Sequence, residues 1–140
     1  LVGFMAVNDN VSLALETMAR EIRTGDTFSI FESPLSSIGE ALRFVNAQGA
    51  TVVYRTTGVG VLERGTCGGA PCEGASEFSF VSLTGNKVNA SRLSFELVHV
   101  SFPDTNWYPR ITVRLGVASN EPGASFVRTD IQTTVSARGN

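Results

Sequence analysis

The chain has 140 residues, 42% of them hydrophobic and 17% charged, with a net charge of −2, two cysteines and one histidine. That length supports one domain with a real core, and its one lysine and ten scattered arginines make no nucleic-acid footprint. One histidine with two close cysteines cannot build an ordinary zinc site.

The chain opens Leu1-Val2-Gly3-Phe4-Met5-Ala6-Val7. These apolar residues fall far short of the ~20 that span a membrane. No basic stretch precedes them, as one would in an intact signal peptide. The run reads either as an ordinary opening segment or as the tail of a longer apolar one.

Val11, Leu15, Met18 and Ile22 then recur at helical spacing, flanked by Ala14 and Ala19, and predict an amphipathic helix whose stripe packs on a sheet. Glu16 stands four residues before Arg20, the favourable order for an exposed pair. Asp9 or Asn10 either caps the helix or lies inside a longer one. Thr24-Gly25-Asp26 ends it, with Gly25 expected as a left-handed cap.

Beyond Gly25 the helical period disappears. Phe28-Ser29-Ile30-Phe31 is a short apolar patch, and Ser33 to Glu40 reads as a helical turn or a loop. From Ala41 the pattern is that of strands. Leu42–Val45, Thr51–Arg55 and Val59–Arg64 are separated by turns at Asn46-Ala47-Gln48-Gly49 and Thr57-Gly58, as in an antiparallel meander. Gly65 to Ser76 reads as a surface loop, and Glu77–Val81 as a fourth strand.

Leu93, Phe95 and Leu97 share one parity, whereas Val98, Val100 and Phe102 share the other, which predicts a bulge near Leu97-Val98. Ile111, Val113, Leu115 and Val117 alternate without error. The last strand carries Val127, Ile131 and Val135. The expected fold class is α+β: one domain over 1–140, with helix in 1–24 and a β-rich region in 41–136. The helix is expected to pack on a single antiparallel sheet of about seven strands.

Two segments carry a resemblance. Leu15-Glu16-Thr17-Met18-Ala19-Arg20-Glu21-Ile22-Arg23-Thr24-Gly25 is similar to the end of the first helix in type IV pilin-like proteins, where an apolar face closes on Arg-x-Gly or Arg-Gly. Ile131-Gln132-Thr133-Thr134-Val135-Ser136-Ala137-Arg138-Gly139-Asn140 resembles their last strand. Together the segments cover 21 of the 140 residues. The family's cleavage motif, a small residue before Phe and a Glu-containing apolar run, does not occur in these residues.

The resemblance implies a minor pilin or minor pseudopilin of a type IV pilus or type II secretion system. Its membrane-spanning half-helix would lie upstream of Leu1, and its head would be extracytoplasmic, at the cell surface or in the periplasm. The implied partners are other pilin or pseudopilin subunits and, before assembly, the inner membrane. No cofactor, catalytic residue or metal is implied.

Among residues with chemistry, Cys67 and Cys72 enclose Gly68, Gly69, Ala70 and Pro71. This spacing favours a structural disulfide over a redox pair or half a metal site, and with it an oxidising compartment. His99 has no local nucleophile signature and reads as a strand residue. Asp104, Asn106, Trp107 and Tyr108 share the two-proline loop 103–109. They read either as a ligand or partner loop, with Trp107 and Tyr108 stacking on carbohydrate or another surface, or as a loop whose Trp107 folds onto the core. The competing function is therefore a secreted β-rich binding or adhesion module. Asn10-Val11-Ser12 and Asn89-Ala90-Ser91 fit the glycosylation triplet.

Overall fold

The computed structural model describes residues 2–31, 38–57, 60–68, 72–85, 88–98, 110–119 and 128–136. Helix α1 spans Val2–Arg23, about 33 Å at ~1.5 Å per residue. Asp9 and Asn10 are therefore interior positions, and Val2 to Val7 belong to the helix. The sequence period explains its placement. Val11, Ala14, Leu15, Met18 and Ile22 are all buried, one stripe facing the core. The Glu16–Arg20 ion pair forms on the exposed side.

Among the described residues eight strands follow rather than about seven, and they form two antiparallel sheets instead of one. The first sheet runs in chain order: β1 (Asp26–Phe31), β2 (Ile38–Val45), β3 (Thr51–Thr56), β4 (Leu62–Cys67) and β5 (Ser79–Ser82). The second holds β6 (Val88–Val98), β7 (Arg110–Ser119) and β8 (Arg128–Ser136).

Strand structure begins well before Ala41, since the patch 28–31 is part of β1 and Ile38–Glu40 opens β2. Gly65 to Cys67, expected in a loop, are paired in β4. The fourth predicted strand is shifted to Ser79–Ser82, because Ala75–Glu77 form a single 3-10 turn.

Alternation divides the first sheet into two apolar faces. Leu42, Phe44, Val52, Tyr54 and Leu62 look inward and share one cluster with the helix stripe and with Leu93, Phe95, Ile111, Val113, Leu115, Val117 and Val135 of the second sheet. The helix lies against β6, β7 and β8. Outward from the first sheet, Ala41 and Val53 pack with Cys67, Cys72 and Phe78 in a second, smaller cluster. The loop after β4 thus folds back over the sheet's outer face.

The two sheets meet at the edge of β6. Glu40 on β2 accepts the backbone N–H of Phe95 at 3.1 Å, and the Gly60 carbonyl accepts that of Ala90 at 2.8 Å. An open row of backbone donors is thereby covered by a side chain and a turn. Gly60 has φ +82°, and a Cβ there would collide with the Asn89 side chain.

Two further expectations are corrected. Gly25 is not in the left-handed region, where only Gly49, Gly60 and Thr27 lie among the described residues. Its requirement is space: a Cβ at Gly25 would sit 2.5 Å from the Phe44 ring, which also stacks on Phe28. The β6 irregularity falls between Ala90 and Arg92, and pairing is regular from Arg92 through Val98. Val98 is an exposed apolar residue at the end of β6, and Val100 and Phe102, the other residues of the expected change of parity, lie outside the described residues.

Candidate functional site

The densest polar arrangement joins the end of α1 to the first sheet. Tyr54 and Arg64 are register partners on the inward face of β3 and β4. Asn46 opens the β2–β3 turn, where its side-chain oxygen accepts the N–H groups of Gln48 at 3.1 Å and Ala50 at 2.9 Å. That Asx geometry, with Gly49 at φ +83°, leaves the Asn46 amide nitrogen free to point at the helix.

All three residues converge on Glu21. Arg64 grips its carboxylate two-pronged, Nε donating to Oε1 at 2.8 Å and Nη2 donating to Oε2. The Tyr54 hydroxyl donates to Oε1, and Asn46 Nδ2 donates to Oε2 at 3.1 Å. A carboxylate offers about four acceptor positions, and here each oxygen receives two donors. Side-chain exposure is 15% for Glu21 and 29% for Arg64, so the pair is partly shielded from water and from salt.

The electrostatics follow from that crowding. Burial pushes the Glu21 carboxyl up, but the hydrogen bonds from Arg64, Tyr54 and Asn46 and the Arg64 charge outweigh it, leaving the group below its ordinary range. Burial and the Glu21 carboxylate push the Tyr54 phenol well above its usual value. The Glu21 hydrogen bond likewise raises Arg64. An ionised carboxylate with its acceptor positions filled is a poor proton acceptor, and a phenol held protonated is no nucleophile at neutral pH. This cluster is a mechanical joint between helix and sheet.

Beside the joint, Thr17, Arg20, Glu21, Gln48 and Arg64 line an open groove of about 440 Å³. Its polar character comes from the same residues that hold the helix. Exposed Leu13 lies one helical turn before Thr17, whose hydroxyl donates to the Leu13 carbonyl.

Cys67 and Cys72 form a disulfide, buried against Val53 and Ala41. Next to them Gly65 faces Phe80 across the β4–β5 pair, and a Cβ at Gly65 would sit 2.5 Å from that ring. The Arg55 guanidinium lies 3.6 Å over the same ring and bonds Glu63 at 3.2 Å.

Val11, Leu15, Met18 and Ile22 are brought together in the helix–sheet core. The positions singled out as a ligand loop, Asp104, Asn106, Trp107 and Tyr108, lie outside the described residues, as does His99. Sequence reasoning did not find the Glu21 joint. The available signal was Glu21 itself, an acid three residues after Met18 and so bordering the apolar stripe. Strand alternation separately places Arg64 on the same face as Leu62.

Among the described residues no group of three potential metal ligands occurs, and no helix is long and apolar enough to cross a membrane. Comparison of the chain with family models, curated proteins and solved structures returns no match.

Proposed function

We propose that this chain is a non-enzymatic structural subunit, a minor pilin or minor pseudopilin, of a type IV pilus or type II secretion pseudopilus. The observation that carries the reading is the joint between α1 and the head. A filament built on helices needs each head fixed relative to its helix, so that helix packing sets head position. Here an apolar stripe seals α1 to β6–β8, and Glu21 is clamped from the other sheet by Arg64, Tyr54 and Asn46.

On this reading the apolar half of the helix anchors the precursor in the inner membrane and then packs against neighbouring subunits. The head stands in an extracytoplasmic, oxidising space, in keeping with the Cys67–Cys72 disulfide. The two elements that carry most of the resembling end segments, α1 and β8, lie against each other.

The coding sequence immediately upstream of Leu1 tests the proposal. The expected finding is a short basic leader, a small residue, and about twenty apolar residues with an early Glu, enough to span a bilayer. A cleavable secretory signal peptide joined directly to Leu1 overturns it.

A further inference from the structure

The exposed face of β6–β8 carries an excess of positive charge. Arg92, Arg110, Arg114 and Arg128 share it by register, with Glu96 and Asp130 as its acids, Asp130 standing across Gly116 from Arg92. Arg114 is held by Glu96 at 3.1 Å and by Gln132 at 3.2 Å. Arg92 and Arg110 are both exposed. From Arg110 to Gly116, the register partner of Arg92, this face extends about 20 Å along β7 at ~3.4 Å per residue.

The opposite charge gathers on the β4–β5 loop, where Glu73 and Glu77 are both exposed and neither is ion-paired among the described residues. The division runs through the chain. Residues 1–86 hold nine acids and five bases, whereas residues 87–140 hold six bases and four acids.

The two charged surfaces lie on different sheets. The acidic loop is seated by Cys67, Cys72 and Phe78 on the outer face of the first sheet. The arginines stand on the outer face of the second, turned away from the core the two sheets share.

We propose that the exposed arginine face of β6–β8 docks the acidic β4–β5 loop of a second copy of this chain. The contact joins two different surfaces, so it is heterologous and repeats head to tail rather than closing a two-fold dimer. It deepens the filament-subunit reading, on which it rests for its biological setting, by naming which surfaces of neighbouring heads meet. Exposed charge pairs are individually weak and salt-sensitive, which suits a contact reinforced by helices held at high local concentration. A second copy fits better than an anionic polymer. The face interleaves its arginines with Glu96, Thr112, Gln132 and Thr134, and the complementary acidic surface is on the same chain.

Sedimentation velocity at about 1 mM chain, the local concentration a shared anchor imposes, tests this. The expected result is association at low salt that disappears at about 0.5 M salt. The double variants Arg92→Glu/Arg110→Glu and Glu73→Lys/Glu77→Lys each weaken self-association roughly tenfold, and an equimolar mixture restores it. Thermal melts confirm that both variants fold. Three results overturn the proposal: salt-independent association or none, variants that associate like the parent, or a mixture that fails to recover. Capture by vesicles of anionic phospholipid with no pairing of copies also overturns it. An upstream sequence without a prepilin leader overturns the filament reading while leaving the measured contact in place.

Discussion

Glu21 and Arg64 lie 43 residues apart in sequence and meet in a two-pronged ion pair that ties the last turn of α1 to strand β4. Truncating either side strands the other. With Glu21→Ala, the Arg64 guanidinium, the fully buried Tyr54 hydroxyl and the Asn46 amide each lose a partner in a half-buried site. The expected loss of folding stability is about 2–4 kcal/mol, below the range for a fully buried pair because Arg64 retains some water. In a double-mutant cycle of Glu21→Ala with Arg64→Ala, the expected coupling is about 1–2 kcal/mol, measured by urea denaturation. Simple additivity of the two losses contradicts the joint.

The same carboxylate sets an acid limit. Its folded-state pKa is depressed relative to the unfolded chain, so its contribution is present above the unfolded value of about 4.3 and fades as pH falls through the lower folded value. Glu21→Gln cannot titrate there. The parent is expected to lose stability relative to Glu21→Gln on acidification from pH ~5 downward. Tyr54 runs the other way. Its pKa is raised, so its contribution is full below about pH 10 and drains as pH rises further. Denaturation midpoints across the pH range check both slopes. Parallel acid limbs for the parent and Glu21→Gln contradict the assignment.

The parts of the fold legible in sequence are those whose signal is local. Val11, Leu15, Met18 and Ile22 share a 3.6 period, and Ile111, Val113, Leu115 and Val117 a period of two; each set is buried as its period requires. Asn46 to Gly49 turn where turn residues cluster. The split into two sheets is not local, because Val88–Val98 has the same pattern whether it pairs with β5 or begins a new sheet. The β6 bulge sits at Ser91, in a polar and small-residue stretch with little hydropathy contrast. Gly25 looked like a conformational glycine, yet its constraint is the Phe44 ring. The Glu21 joint needs a helix, a turn and two strands at once, and no window of sequence contains all of them.

Thr27 is a β-branched residue at φ 58°, within the irregular step between Asp26 and Ser29 in the β1–β2 pairing. A left-handed non-glycine residue stores on the order of 1–3 kcal/mol. Glycine removes the Cβ clash while costing some unfolded-state entropy, and the Thr27 hydroxyl bond to Asp26 that is lost is exposed. Thr27→Gly is therefore expected to raise stability by about 0.5–1 kcal/mol, read as a higher urea midpoint at unchanged m-value. A lower midpoint contradicts strain at this position.

Gly65 offers the converse case. The Phe80 ring lies directly over it, with the Arg55 guanidinium against the same ring. Gly65→Ala forces the ring off the strand and disturbs the cation–π contact, with an expected cost of about 1–3 kcal/mol despite alanine's better intrinsic fit to a strand. Phe80→Ala first removes the obstruction. In that background Gly65→Ala is expected to be nearly neutral, because the clash has gone and only the backbone entropy term remains. Thermal melts of the four variants measure the difference. A cost that persists in the Phe80→Ala background places the constraint in the Gly65 backbone instead of the ring above it.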